Sequence, residues 1–183
     1  MPDVPIIPED EISKGTSIGA GGSATVNKGK WRGTSVALRQ FNKVTLVGKR
    51  AREEVSLHAH MRHPNILMLY GVCETQDSFL VIAELMDCSL DKVIFRKTRP
   101  TKKQALSIGE KIVSGVVHLH ENKVVHGDMK PPNVLVSKDF SQVKVCDFGL
   151  SRIKESATVT QINVVPGTFL YMAPESLFGR CEK

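Results

Sequence analysis

Apolar residues in the first half of the chain alternate with polar ones in short runs. Over residues 16–41 this alternation, interrupted by glycines, predicts three short antiparallel strands. Residues 66–73 and 78–85 are two further apolar runs and predict two more strands. Between these groups, residues 46–61 are charged and helix-permissive, and a His-Pro pair follows them. The first half is therefore predicted to be a small five-stranded antiparallel sheet with one helix.

The second half has a mainly helical periodicity. Residues 89–95 predict a short helix, and residues 102–121 predict a long amphipathic one. The apolar positions of the long helix are Ala105, Ile108, Ile112, Val116 and Leu119. After it, residues 151–167 are polar and irregular, and short strand-like runs precede them at 124–126, 133–137 and 143–146. The pattern predicts an α+β architecture of two lobes, with a hinge near residues 84–87.

Composition and charge narrow the class of protein. The chain has 183 residues, of which 41% are hydrophobic and 24% charged, as expected for a globular domain. Its net charge of +6 favours anionic ligands without naming one. The densest basic stretch, within residues 96–103, lacks the interleaved aromatic residues that stack on bases. It therefore indicates a solvated loop, and a nucleic-acid partner is not expected.

Cysteine usage and the chain ends indicate the compartment. The four cysteines are not at metal-binding or paired spacing, so reduced thiols of an intracellular protein are expected. Residues 1–12 contain three prolines and predict an extended leader, and they lack the features of a signal peptide. No apolar run reaches the length of a membrane span. The sequence predicts a cytoplasmic protein.

Six short motifs carry the chemistry, and their order is more informative than any one of them. A glycine-rich turn between strands lets backbone N–H groups approach phosphates closely, although an ordinary hairpin explains such a turn equally well in isolation. Likewise, a single loop carboxylate is by itself compatible with a surface position. In chain order the motifs are residues 19–26 (GAGGSATV), 36–39 (VALR), Glu54, 126–133 (HGDMKPPN), 147–149 (DFG) and 173–175 (APE).

This ordered set resembles a eukaryotic protein kinase domain. The resemblance implies a two-lobed fold over residues 13–183, with an N-lobe of about 13–84 and a partial C-lobe of about 88–183. Residues 28–37 (KGKWRGTSVA) and 62–73 (RHPNILMLYGVC) are most similar to the tyrosine-kinase-like group of serine/threonine kinases. Within the family, Lys130 and the pair Gly167-Thr168 favour Ser/Thr over Tyr as the acceptor.

The resemblance also implies roles for individual residues, since phosphoryl transfer needs positioning and charge neutralisation. Asp128 would orient the acceptor hydroxyl or accept its proton, and Lys130 would contact the γ-phosphate. Asn133 and Asp147 would hold Mg²⁺ through oxygen ligands. Ala83 takes the gatekeeper position, where a small side chain leaves a deep pocket. The residues expected to bind ATP are Ile18, Gly19, Gly21, Val26, Ala37, Arg39, Glu54, Ala83, Glu84, Met86 and Leu135.

The main departure from the family pattern is Arg39, which stands where the family has a lysine. The charge is retained, but a guanidinium is planar and wider than an ammonium, and it prefers a bidentate carboxylate. Arg39 is therefore expected to pair with Glu54 and to crowd the nucleotide. In the family this exchange commonly disables catalysis.

Other departures concern the glycine loop, the helix and the catalytic loop. Ser23 and Ala24 replace an aromatic residue and a glycine, so the loop should cover phosphates less well. His58 stands where the family has an apolar core residue; it is either a satisfied core histidine or a polar group that loosens the helix. Gly127 replaces the arginine before Asp128, which makes control by activation-loop phosphorylation less expected.

Two interpretations of the function follow from these features. The first is ATP-dependent phosphoryl transfer to Ser/Thr hydroxyls of a protein, impaired by Arg39. The alternative is a pseudokinase or nucleotide-binding scaffold that regulates a protein partner without catalysis. Because the sequence ends eight residues after Glu175, a fragment or a partner-stabilised chain is expected.

Overall fold

The first half of the chain folds into one antiparallel sheet with a helix beside it. The computed structural model describes residues 4–20, 24–42, 55–76, 78–94, 99–147, 152–153 and 168–174. Residues 55–59 are helical and are called α1 here, and the rest of the predicted helix over 46–61 lies largely outside the described residues. The sheet has the order β1-β2-β3-β5-β4. Its strands are β1 (Ile12–Ala20), β2 (Thr25–Trp31), β3 (Thr34–Asn42), β4 (Leu69–Glu74) and β5 (Ser78–Glu84).

A tight turn fixes the register of β2 against β3. Arg32 and Gly33 both have positive φ angles, 46° and 80°. Two successive residues in that region form the turn whose twist matches an antiparallel hairpin. As a result Trp31 pairs with Thr34, and the register continues to Val26 opposite Arg39.

The two faces of the sheet bury different sets of residues because side chains alternate along each strand. Val36, Leu38 and Ile82 lie on the outer face and are fully buried. On the other face, Ala37 is paired with Ala83, and Arg39 is paired with Val81. Ala37, Arg39 and Ala83 therefore share one face of the sheet with Val26, which is paired with Arg39.

Residues 4–8 of the predicted leader are extended and pack against the edge of the sheet. Ile6 forms a parallel bridge with Val72 of β4. The backbone N–H of Ile7 donates to the Val72 carbonyl at 2.7 Å, and the N–H of Val72 donates to the carbonyl of Pro5 at 2.9 Å. Ile7 is 4% exposed and belongs to the outer core of the sheet. A short 3-10 turn, Glu9–Glu11, leads from this segment into β1.

The second half contains two helices and short strands, as predicted. The helices are α2 (Leu90–Ile94) and α3 (Lys102–Glu121). Of the polar segment 151–167, only Arg152 and Ile153 are described, and they pair with β7 instead of being irregular. The strands are β6 (Cys88–Ser89), β7 (Val124–Val125), β8 (Val134–Val136), β9 (Val143–Val145) and β10 (Arg152–Ile153).

Helix α3 is capped at its start and buries one side. The Thr101 side chain accepts from the backbone N–H of Gln104, and the Gln104 side chain accepts from the N–H of Thr101, which forms a capping box. Ile108 and Leu119 are buried as predicted, whereas Ala105 is exposed. On the opposite side the apolar residues Leu106, Val113 and Val117 are exposed. No helix among the described residues is long and apolar enough to cross a membrane.

The two halves are joined by the loop before β4. The Leu67 N–H donates to the carbonyl of Val145 at 2.9 Å, and the Val145 N–H donates to the carbonyl of Asn65 at 2.8 Å. The Asn65 side chain donates to the carbonyl of Val143 at 3.0 Å. This loop also packs closely on α3, because a Cβ at Gly115 would lie 2.8 Å from the Asn65 carbonyl oxygen. The junction therefore depends on the absence of a side chain at Gly115.

A pair of glycine substitutions in α3 tests this junction. Ala is favoured over Gly in a helix by up to about 1 kcal/mol. At Gly109, where no atom lies within 4 Å of the added Cβ, Gly109→Ala should therefore stabilise the protein. Gly115→Ala should instead destabilise it by about 1–3 kcal/mol, because the loop backbone must shift. Urea unfolding of both variants measures this, and equal stabilisation by both would contradict close packing at Gly115.

Candidate active site

The loop between β7 and β8 is built around a buried histidine. His126 is 2% exposed, and its Nε2 lies 3.0 Å from the carbonyl of Cys146, so Nε2 must carry the proton. Its Nδ1 accepts from the backbone N–H of Asp128 at 3.2 Å. Both ring nitrogens are thus used by a neutral imidazole, and burial lowers the pKa of His126. The first of these bonds joins the loop to the residue after β9, and the second fixes the backbone N–H of Asp128.

The two carboxylate oxygens of Asp128 have different surroundings. Oδ2 lies 2.7 Å from Lys130 Nζ and accepts from Asn133 Nδ2 at 3.0 Å. The same amide nitrogen donates to the Asp128 carbonyl at 2.8 Å. Oδ1 is buried and has no hydrogen-bond partner among the described residues. A buried acceptor without a partner is rare in proteins, and leaving it unpaired costs free energy.

Asn133 and Asp147 are brought to neighbouring positions. The Cys146 N–H donates to the Asn133 carbonyl at 3.0 Å, so the residue before Asp147 is anchored to the loop. Asp147 has a φ angle of 66°, a conformation uncommon for residues other than glycine. Such strained positions are concentrated at functional sites. Gly127 also has a positive φ angle, 78°, which glycine adopts without strain.

Arg39 extends from β3 to this end of the site. Its Nη2 lies 3.4 Å from Asp147 Oδ1, and the side chains of Arg39 and Asp147 are 28% and 39% exposed. The guanidinium also lies over the ring of Phe41, 4.8 Å from its centre. Glu54, the partner expected from the sequence, lies outside the described residues. Among the described residues, the carboxylate paired with Arg39 is therefore Asp147.

The other residues expected to bind a nucleotide lie on the sheet, on β8 and between β5 and β6. Gly19 is paired with Val26, and Ala37 with Ala83, which is 8% exposed. Ile18 is 42% exposed on β1. Leu135 lies on β8 and Met86 between β5 and β6, both half-buried, and Gly21 lies outside the described residues.

Glu84 has a structural contact that the sequence did not indicate. Its Oε1 accepts from the Met68 N–H at 2.6 Å and lies 2.9 Å from Lys144 Nζ. Lys144 belongs to β9, so this ion pair joins the end of β5 to the second half of the molecule. Both side chains are largely buried, which makes the pair less screened than a surface one. The side chain of Glu84 thus contacts the second half and fixes the hinge.

His58 is a satisfied core histidine, the first of the two alternatives for this position. It is 8% exposed, and its Nε2 donates to the carbonyl of Leu67, 2.6 Å away. Burial lowers its pKa to about 4, so the ring is neutral at neutral pH. The bond joins α1 to the loop that contacts β9.

The donors at this site suit Mg²⁺. Hard cations prefer carboxylate and amide oxygens, and Asp147 and Asn133 supply one of each on adjacent segments. The two hydrogen bonds of Asn133 to Asp128 use its amide nitrogen, so they do not engage its Oδ1. Asn133 and Asp147 would therefore hold the ion. When bound with ATP, it would neutralise phosphate charge.

The comparisons with known proteins agree with this geometry. The model of the protein kinase domain family matches residues 12–183. The chain is 35% identical over 175 residues to the probable serine/threonine-protein kinase SIS8 of Arabidopsis thaliana, covering 92% of this chain and 17% of the relative. It is 32% identical over 180 residues to the serine/threonine-protein kinase CTR1 of Arabidopsis thaliana, covering 93% and 22%. It is also 32% identical over 174 residues to the mitogen-activated protein kinase kinase kinase dlk-1 of Caenorhabditis elegans, covering 93% and 18%.

The chain belongs to the protein kinase domain family, whose members normally use ATP and Mg²⁺. The predicted two-lobed α+β fold is confirmed, with a five-stranded N-lobe sheet and a partial helical C-lobe. The chain spans 17% to 22% of the length of these three relatives.

The buried histidine of α1 predicts a specific pH dependence. Because the pKa of His58 is about 4 in the folded protein, against an ordinary value of 6.5, the unfolded chain binds more protons between these values. Acidification from pH 7 to pH 5 should therefore lower the free energy of unfolding, with about 2 kcal/mol of the loss due to His58. His58→Gln retains a hydrogen-bond donor that does not titrate, so this part of the loss should disappear.

Urea unfolding at pH 7 and pH 5 measures the difference, with a substitution of the exposed His120, His120→Gln, as control. The control should show the same pH dependence as the parent protein. An equal pH dependence in His58→Gln would contradict burial of a neutral imidazole.

Proposed function

We propose that this domain transfers the γ-phosphoryl group of ATP to Ser or Thr hydroxyls of a protein. Asp128 orients the acceptor hydroxyl and accepts its proton, and Lys130 contacts the transferred phosphate. Asn133 and Asp147 hold Mg²⁺, and the face of the sheet that carries Val26, Ala37 and Ala83 covers the adenine. The proposal includes membership of the tyrosine-kinase-like group and a role in signalling, with a protein as substrate or partner.

The observation that carries this proposal is the uneven use of the Asp128 carboxylate. Lys130 and Asn133 hold Oδ2 and so fix the orientation of the group. Oδ1 is buried and has no partner among the described residues, so its capacity to accept a hydrogen bond is unused in this structure. A fixed carboxylate within hydrogen-bond reach of a hydroxyl is what general-base chemistry requires. The cationic Lys130 beside it suits an anionic phosphate.

A second candidate is a nucleotide-binding scaffold without turnover, and the contact between Arg39 and Asp147 favours it. Asp147 is one of the two proposed Mg²⁺ ligands, and Arg39 lies 3.4 Å from one of its oxygens. A guanidinium that retains this contact competes with the cation for the carboxylate. It also presents a rigid fork where an ammonium would act as a compact point charge. Binding of the nucleotide can then survive while transfer is slowed.

Replacement of the proposed base tests the first candidate. Asp128→Asn should lower kcat for phosphorylation of a generic basic protein substrate by about 10²- to 10⁴-fold, because the amide cannot accept the proton. The dissociation constant for Mg-ATP should change little. The control is Asp139→Asn in the exposed loop after β8, which should leave kcat unchanged. Transfer that survives in Asp128→Asn at the parent rate would refute the assignment of Asp128.

Restoring a lysine at position 39 separates the two candidates. Arg39→Lys removes the fork that contacts Asp147 and should raise kcat/KM by about tenfold or more if the parent is a slow enzyme. If the parent shows no transfer and Arg39→Lys creates it, the parent is the scaffold. Arg32→Lys, in the exposed hairpin turn, is the matched control and should leave kcat/KM unchanged. A lower kcat/KM in Arg39→Lys would show that the arginine is not the obstacle.

A further inference from the structure

The N-terminal segment, residues 4–7, lies outside the stretch that matches the kinase family, which begins at residue 12. From its contacts we infer that this segment positions helix α1 and, through it, the nucleotide site. The consequence for nucleotide binding rests on the proposed function, whereas the contact with α1 does not. The segment pairs with the edge of the sheet through a single bridge between Ile6 and Val72.

The backbone of the segment completes the free edge of β4. Two hydrogen bonds hold it, one donated by Ile7 and one accepted by Pro5, both on Val72. Proline lacks an N–H, so Pro5 and Pro8, which flank Ile6 and Ile7, cannot donate further hydrogen bonds to β4. Prolines at such positions are typical of edge strands. The segment is therefore held at one point of the backbone, and its side chains decide what it stabilises.

Alternating side chains reach the two faces of the sheet. Ile7 is buried in the outer core with Val36, Leu38 and Ile82. Val4, on the other face, packs against the cluster that contains Val55 of α1. The other buried members of that cluster are Phe41, Val72, Phe79 and Val81. Ile7 therefore belongs to the outer core of the sheet, whereas Val4 packs against the cluster that joins the sheet to α1.

The cluster that contains Val55 is adjacent to the proposed site. Its member Phe41 carries the guanidinium of Arg39 on its ring, 4.8 Å from the ring centre. One turn after Val55, His58 donates to the carbonyl of Leu67, and the N–H of Leu67 donates to the carbonyl of Val145 on the strand that leads to Asp147. A shift of α1 would therefore disturb both the packing around Phe41, which contacts Arg39, and the loop bonded to that strand. The loss of Val4 from the cluster is a direct way to produce that shift.

Gly71 shows that the segment must approach β4 closely. A Cβ at this position would lie 2.4 Å from the carbonyl oxygen of Pro5 and 2.9 Å from Ile7 Cδ1. No side chain can be added there without moving the segment. Gly71→Ala is thus a variant that displaces residues 5–7 without altering them.

Four single variants of the full chain test the inference: Val4→Ala, Gly71→Ala, Ile7→Val and, as a control, Ile6→Ala, whose side chain is 77% exposed. Hydrogen exchange of the amides of residues 55–59 reports on α1, and isothermal titration gives the dissociation constant for Mg-ATP. If the competent position of α1 falls to a third of the population, that constant rises about threefold, and the exchange rate rises by more than threefold because the displaced state becomes the major one. This is expected for Val4→Ala and for Gly71→Ala. Ile7→Val should lower only the melting midpoint, and Ile6→Ala should change none of these quantities.

Two results would overturn the inference. One is a Val4→Ala protein with parent exchange at residues 55–59. The other is a rise in the exchange rate and in the dissociation constant that stands in the same ratio to the loss of melting midpoint in Val4→Ala and in Ile7→Val. Such a result would be an effect of global stability alone. A parent chain that does not bind Mg-ATP refutes the proposed function instead, and the exchange data then decide the contact with α1 separately.

Discussion

Two hydrogen bonds between the loop at residues 126–133 and the end of β9 hold the whole candidate site together. His126 donates to the carbonyl of Cys146, and Cys146 donates to the carbonyl of Asn133. Because both bonds are buried, breaking either would leave polar groups without partners in a low-dielectric interior. They fix the loop that carries Asp128 against the strand that leads to Asp147. The proposed proton acceptor and the proposed Mg²⁺ ligands are thus positioned by the same contacts.

The part of the site that lies on the sheet depends on the alternation of side chains along the strands. Val26, Arg39 and Ala37 share a face because the hairpin at Arg32 and Gly33 sets the register of β2 against β3. That register places the cation of Arg39 near Asp147, where its shape matters more than its charge. A guanidinium pairs with a carboxylate more persistently than an ammonium does. The contact of 3.4 Å between Arg39 and Asp147 therefore bears on the choice between the two proposed functions.

The sequence predicts those features that depend on local pattern and misses those that depend on long-range contact. Alternation is sufficient for the five strands of the sheet, and helical periodicity is sufficient for α3. The sequence marks Arg39 as a departure from the family pattern, but its contact with Asp147 joins residues 108 positions apart, which no local pattern encodes. The same holds for the ion pair of Glu84 with Lys144. The prolines of the first residues indicated an extended chain, yet only the burial of Ile7 shows that it belongs to the core.

The most direct test of a nucleotide site built on Asp147 and Asn133 is the melting midpoint of the protein with and without millimolar Mg-ATP. A ligand that binds only the folded state raises the midpoint by linkage. The account predicts a cooperative melt whose midpoint rises with Mg²⁺ and ATP together and much less with ATP in excess chelator. A midpoint that Mg-ATP leaves unchanged would contradict it, because the groups that the fold brings together would then not form a nucleotide site.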